Sequence, residues 1–408
     1  MKYSKIITRK TSLWLLLATI ILLTGSLIKD HFDYVTLEKL FADVTKIPGD
    51  SWDEQYKDVK IKDKYKVVYI PTVGGEHSAA KYFQHAAEKI GWEVKIYPMT
   101  IQGKEDEIIS FNPDFIIGTF LNTTDRGFLD TLLQYKKYYW ISMPIKSRIK
   151  KSLDTVLKTD ARLWYIVYSG AGMLSCPEEE IGLYKIMWNK LNKPFYGIKF
   201  LPLPPSNDYE PAEPKRVFWG GVSGDGFRFS QRYKSFITLL SQKVPIKVYG
   251  PRYTYHFLES KLYGGYIPPG LENIEAIRKN GIYLVSHQKA HFDGNVPSMK
   301  PFEAAAANVI TISDMHPFVM KHFGDSMLYF DHNASPEEMY RQVEKHVSWI
   351  LENPDRAKEM ANRAHQIFLE KFTVDQDLIR IAKMHEYILT QEKQMNLEYP
   401  FSYGDVCN

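Results

Sequence analysis

The residues best suited to chemistry lie between 297 and 308: Pro297-Ser298-Met299-Lys300-Pro301-Phe302-Glu303, then Ala304 to Ala307 and Asn308. The ammonium of Lys300 precedes the carboxylate of Glu303 by three residues, at the start of an alanine-rich helix. That helix leads into the apolar strand Val309-Ile310-Thr311-Ile312. A cation in such a place can hold phosphate, and a carboxylate can accept hydrogen bonds from sugar hydroxyls. Phe302 and the alanines make the surroundings of Glu303 apolar, so the carboxylate needs a specific donor. The blander role for a glutamate in a first turn is to complement the helix dipole. Asn308 stands where glycine usually ends a helix, and asparagine tolerates the left-handed conformation that such an ending needs.

A second group of candidates follows the strand Arg216-Val217-Phe218-Trp219. Gly220 and Gly221 open the turn, with Arg228 and Arg232 behind them. Cations after a strand-glycine turn face the crevice at the carboxyl edge of a sheet. Together with Tyr249, Ser298, Lys300 and Glu303 they form the expected donor-binding set. Near the other end of the chain, Gly74 and Gly75 can bring backbone N–H groups close to an acceptor. His77 beside them is a candidate base, so His77 and Glu303 are the two residues expected to act on reacting groups. The only Asp-x-Asp, Asp375-Gln376-Asp377, falls inside a helix, a poor place for a metal clamp. No metal and no cofactor are therefore expected, and cationic side chains are expected to steady a departing diphosphate. The glycines at 220, 221, 224 and 226 do not fit G-x-G-x-x-G, and no acid ends the next strand at Tyr249-Gly250. That excludes a dinucleotide-dependent oxidoreductase.

The elements that must position these residues alternate strand and helix. Val67 to Ile70 reads as a buried strand, followed by a helix with Ala79, Ala80, Phe83, Ala86, Ala87 and Ile90 on one face and Gly91 as its stop. Strands follow at 92–97, 114–118, 139–142 and 163–167. Five prolines between Leu201 and Arg216 mark a linker. Beyond it come strands at 216–219, 246–249, 281–285 and 309–314, with a helix over 230–242. Ser335-Pro336-Glu337-Glu338 is a capping box. Asn353-Pro354 and Thr373 then open two further helices. The predicted class is α/β: two Rossmann-like domains with a C-terminal helical segment and an N-terminal membrane-anchor helix. The predicted units are an anchor at 1–30, a stem at 31–64, an acceptor domain at 65–205, a donor domain at 206–375, and a helix and tail at 376–408.

At 408 residues the chain is too long for one ordinary core. Its formal charge is +4, and Lys2, Lys5, Arg9 and Lys10 match that excess before any acid appears. The body is near neutral, which argues against a nucleic-acid partner. From Thr11 to Ile28 there is no charged residue, a stretch near the lower limit of about 17–20 residues for a bilayer span. With four cations before it, the segment at 11–28 is expected to be a single-pass anchor with a cytoplasmic N-terminus. A cleaved signal peptide is the competing view, against which Leu23-Thr24-Gly25-Ser26 is a weak cleavage site. Cys176 and Cys407 have no metal-ligand spacing, and a disulfide between them stays open.

From Val296 to His385 the chain resembles the group 1 glycosyltransferases of the GT-B fold, in particular the branch related to the spore-maturation protein CgeB. The resemblance rests on Pro297 to Ala304, Ile312-Ser313-Asp314, Phe323 to Asp331, Asn353-Pro354, His365 to Phe368 and Lys371-Phe372-Thr373. Gly220 to Lys234 is similar but looser. The resemblance implies that Glu303 meets the donor ribose, that Arg232 opens the first donor-domain helix, and that Lys300 replaces an arginine. The exchange keeps the charge but loses a bidentate fork. Where the wider superfamily has a second glutamate contacting the sugar, this chain has Asn295. The resemblance further implies a UDP- or GDP-sugar donor, a cleft between domains and retention at the anomeric carbon. The acceptor, whether glycan, lipid or protein, is not implied. Two other classes compete with transfer: an anchored two-lobed solute-binding protein and an inactive transferase-like scaffold.

Overall fold

The computed structural model describes residues 56–70, 77–97, 104–119, 137–141, 164–168, 196–197, 203–221, 230–268, 270–293 and 297–394. The anchor predicted at 11–28 lies outside them, as do Gly74, Gly75, Arg228 and Asn295. Among the described residues no helix is long and apolar enough to cross a membrane.

Among the described residues, two six-stranded sheets form, parallel throughout. The first contains β1 (Lys66–Ile70), β2 (Glu93–Ile96), β3 (Phe115–Thr119), β4 (Lys137–Ile141), β5 (Trp164–Tyr168) and β6 (Tyr196–Gly197), in the order β2-β1-β3-β4-β5-β6. Helices α1 (His77–Lys89) and α2 (Glu105–Phe111) connect its first strands. The apolar face foreseen on α1 is buried from Ala79 to Ala87, Ile90 just past the helix is half-buried, and Gly91 turns the chain with φ 83°.

The second sheet contains β7 (Arg216–Gly220), β8 (Ile246–Tyr249), β9 (Tyr263–Gly265), β10 (Gly281–Val285), β11 (Ile310–Asp314) and β12 (Leu328–Phe330). Its order, β12-β11-β10-β7-β8-β9, reverses direction between β7 and β10. A doubly wound sheet opens its ligand crevice at such a reversal, outside the carboxyl ends of the strands. The connecting helices are α3 (Gln231–Lys243), α4 (Leu271–Asn280), α5 (Lys289–Asp293), α6 (Lys300–Ala306) and α7 (Pro317–Phe323), then α8 (Pro336–Glu352), α9 (Pro354–Lys371) and α10 (Val374–Gln394).

Side chains alternate across this sheet as the pleat requires. Val217, Trp219, Ile282, Leu284, Ile310 and Ile312 bury against the α3 and α8 side. Phe218, Tyr283 and Val285 join the opposite core, which also contains Tyr82 and Phe83 of α1, Phe302 and the α6 alanines. One apolar core therefore runs from the first sheet's helices into the second's, and it seats α6. The last helix, α10, crosses back and packs on α1.

The capping box at Ser335 forms as the sequence predicts, and the structure adds a second serine cap at the start of α3. Ser230 accepts from the Tyr233 N–H, and Ser335 from the Glu338 N–H at 3.2 Å. Asn308 adopts φ 48° after α6. Helices α2, α4, α5 and α7 and strands β6, β9 and β12 were not foreseen. The three strands hold only two or three residues each, too few to show a period.

Candidate functional site

Lys300 begins α6 beside the β7/β10 reversal. Its ammonium donates to the Gly220 carbonyl at 2.7 Å and lies 5.9 Å from the centre of the Trp219 ring. Two predicted residues distant in sequence, Gly220 and Lys300, thus meet at the end of β7. Gly221 stays beside them because its N–H bonds the Tyr249 carbonyl at 3.2 Å. Gly250 allows that approach: at φ 137°, a Cβ there would lie 2.2 Å from the Gly221 oxygen. The Ser298 hydroxyl, two residues before Lys300, is buried without a hydrogen-bond partner.

Glu303 points inward. It is 6% exposed and accepts from the Tyr82 hydroxyl of α1 at 3.1 Å. The donor that the apolar surroundings demanded is, in this structure, a protein hydroxyl. Burial holds the Glu303 carboxyl above the usual carboxylate range, against the opposing pull of the Tyr82 hydroxyl, the Lys300 charge and the Asn273 side chain. Tyr82 is pushed well above the ordinary phenol value, first by burial and then by the charge of Glu303. Tyr82 and Asn273 carried no sequence signal, since one sat on an apolar helix face and the other in an unforeseen helix. The carbonyls at the far end of α6 are held by side-chain donors: His365, whose imidazole burial carries below its ordinary value, bonds Ala305 O at 2.8 Å, and the Arg278 cation bonds Ala307 O at 2.7 Å. Both contacts suit the negative end of a helix.

Two expectations need correction. Tyr249 does not face the crevice: its ring stacks on Phe218 with centroids 4.6 Å apart, and its hydroxyl reaches Asn280 at the opposite, amino end of β10. Tyr249 has the large apolar body that packs best against Phe218 inside the sheet's covered face. Arg232 does not join Lys300. Its guanidinium donates to the carbonyls of His332, at 2.6 Å, and of Ala334, tying α3 to the loop after β12. Asp375 and Asp377 are structural, as expected for a pair inside α10. Asp375 accepts from the Ser206 N–H at 2.6 Å, and Asp377 pairs with Arg380 at 2.7 Å. His77 is the first residue of α1.

The sequence reading missed a group of histidines at the same edge. His287, His316 and His332 each stand two residues beyond the end of a strand: β10, β11 and β12 in turn. That repeated offset was the available signal. Asp314, the last residue of β11, accepts from both the backbone N–H and Nδ1 of His287, each at 2.6 Å. Both side chains are fully buried. The His287 and His316 rings lie 4.4 Å apart, and Phe292 of α5 stacks on His332 at 3.8 Å. Burial would raise the Asp314 carboxyl, but electrostatic attraction to His287 and the two hydrogen bonds from it, with His316 behind them, carry it below its ordinary value. Burial, then the electrostatic influence of His287, pushes the His316 imidazole down to about 4. Burial also lowers His332.

Residues 232–383 match the family model described as glycosyl transferase-like. No curated protein matches the chain. Among solved structures, an alpha-glucosyltransferase (AGT) in complex with UDP superposes with a TM-score of 0.51 at 11% identity, covering 78% of this chain and 99% of that one. The sucrose-phosphate synthase of Thermosynechococcus elongatus gives 0.51 at 9% identity, covering 80% and 99%. At such identities the likeness speaks to the fold, and it agrees with the two parallel sheets. The chain has the GT-B fold and carries a glycosyl transferase-like domain over residues 232–383.

Proposed function

We propose that the chain transfers a sugar from a nucleoside-diphosphate donor, bound at the β7/β10 crevice, to a glycan, lipid or protein acceptor. One observation carries this reading: the Lys300 ammonium is fixed on the Gly220 carbonyl at the strand reversal. A cation there can leave a neutral carbonyl for a diphosphate, which is the stronger acceptor. The unpartnered Ser298 hydroxyl beside it can donate to the same oxygens. The UDP held by the alpha-glucosyltransferase of similar fold makes a uridine donor the first to try. Glu303 would exchange the Tyr82 hydroxyl for a ribose hydroxyl, so Tyr82 competes with the donor in the ligand-free protein.

The test is thermal denaturation with UDP and with GDP. Either nucleotide should raise the melting temperature, also in the presence of EDTA. Lys300→Ala should abolish the shift while keeping the native circular dichroism. A shift that survives in Lys300→Ala removes the assignment; affinity for free sugars and none for nucleotides would favour a solute-binding protein. Metal independence, retention of anomeric configuration and anchoring through residues 11–28 with a cytoplasmic N-terminus belong to the same proposal. Protease protection of the C-terminus in sealed vesicles reads out the side on which the body lies.

A further inference from the structure

Unpartnered buried polar atoms gather at one edge of the second sheet. Ser286 Oγ and His287 Nε2 beyond β10, His316 Nδ1 beyond β11 and His332 Nδ1 beyond β12 are all buried without a hydrogen-bond partner. Each such atom costs free energy unless a ligand satisfies it. The chemistry wanted can be read from the opposite ring nitrogens. His287 Nδ1 faces the Asp314 carboxylate, so that nitrogen bears the proton, and in this tautomer Nε2 presents a lone pair. His316 Nε2 faces the His291 carbonyl at 3.1 Å, so it too bears the proton and Nδ1 presents a lone pair. Lone pairs accept from hydroxyls and repel phosphate oxygens. Among the described residues no three His, Cys, Asp or Glu side chains are spaced to hold a metal ion. Hydroxyl groups therefore fit these nitrogens better than either an anion or a cation.

We propose that His287 and His316 form the subsite for the transferred sugar, each accepting a hydrogen bond from one of its hydroxyls. Asp314 is the positioning residue that holds the tautomer of His287. The assignment rests on the glycosyl-transfer reading and adds to it the class of sugar: one that presents neutral hydroxyls to this edge. The ring spacing of 4.4 Å puts both acceptors within reach of a single sugar. Phe292 supplies an aromatic face 5.1 Å from the His316 ring, against which the C–H groups of a sugar could lie. The phosphate contacts at Lys300 and Ser298 are separate from these two rings, and this separation makes the proposal testable.

Calorimetric titration of the full chain at about pH 7.5 would compare UDP and GDP with UDP-glucose and GDP-mannose. The wild type should bind a nucleotide sugar more tightly than its parent diphosphate. His316→Phe keeps an aromatic ring but removes the lone pair. It should cut that preference about ten-fold, the worth of one hydrogen bond, while leaving the diphosphate affinity unchanged. His287→Asn, whose amide can keep the bond to Asp314, should act in the same direction. The subsite is overturned if the wild type shows no preference, if both variants retain it, or if diphosphate and nucleotide sugar weaken equally. If the wild type binds no nucleotide of any kind, the glycosyl-transfer reading fails first and the subsite falls with it.

Discussion

Glu303 and Asp314 are both buried carboxylates beside the second sheet, yet their affinities for protons move in opposite directions. Burial penalises the charge on each. Glu303 has a phenol, an amide and a lysine charge around it, and burial prevails. Asp314 has an imidazole at 2.6 Å and a backbone N–H at the same distance, and those contacts prevail. The comparison teaches that depth alone does not set the state of an acid; the number and charge of its donors do. It also separates two roles. Asp314 is a committed anion whose partner is built into the same sheet edge. Glu303 is held by a hydroxyl from the first sheet's helix layer, a partner that a ribose could replace.

The largest effect should come from breaking the committed pair. Asp314→Ala leaves both the Nδ1–H and the backbone N–H of His287 buried without their acceptor, and each orphaned donor costs about 1–3 kcal/mol. Urea denaturation checks it; a loss below about 1 kcal/mol would mean that the pair is dispensable.

Acid should dissect the same edge in two steps. The folded value of His316, about 4, lies below its unfolded value, so its contribution is present above about pH 6.5 and is lost as pH falls to about 4. Its size is at most about 3 kcal/mol. Asp314 is also depressed, so its contribution is present above its unfolded value of about 3.9 and disappears only at still lower pH. His316→Phe should flatten the first step and leave the second. Denaturation midpoints measured from pH 7 to pH 3 would show whether the steps separate.

Glu303 should respond in the opposite sense. Its raised value means that its protonated form is favoured by folding, with stability lost as pH rises through the folded value. Glu303→Gln can still accept from Tyr82 and carries no charge, so it should be more stable than the wild type at pH 7 by about 1 kcal/mol. The difference should shrink as pH falls, while nucleotide binding is lost. A variant less stable than the wild type at pH 7 would contradict the assigned direction.

The smallest expected change sharpens the comparison. Tyr82→Phe removes the competitor for Glu303 and should tighten UDP binding several-fold, at a stability cost of about 1 kcal/mol. Weaker binding would mean that Tyr82 orders Glu303 for the ligand instead of competing with it.

Much of the frame was legible in the residues. The strand-helix alternation, the Ser335 cap and the left-handed Asn308 follow from local rules of period, capping and backbone sterics. These rules act over a few residues, so they survive folding unchanged. Within the site, the nearness of Lys300 to a glycine turn could be expected because both belong at the carboxyl edge of one sheet. Tyr249 and Arg232 went astray for one reason: position at a strand end or helix start does not determine which way a long side chain turns. Tyr249 found Phe218 and Asn280, and Arg232 found two carbonyls of a loop that the sequence reading had not placed.

By itself the sequence determined a chain of two doubly wound sheets with a cation and a carboxylate at a helix mouth. Only the tertiary structure decided what that carboxylate touches, because Tyr82 lies 221 residues away and meets it across a shared core. It also decided that three histidines, each two steps past a different strand, share one edge with an aspartate. Strand order creates that neighbourhood, and strand order depends on which surfaces bury together, a property of the whole chain and of no single stretch within it.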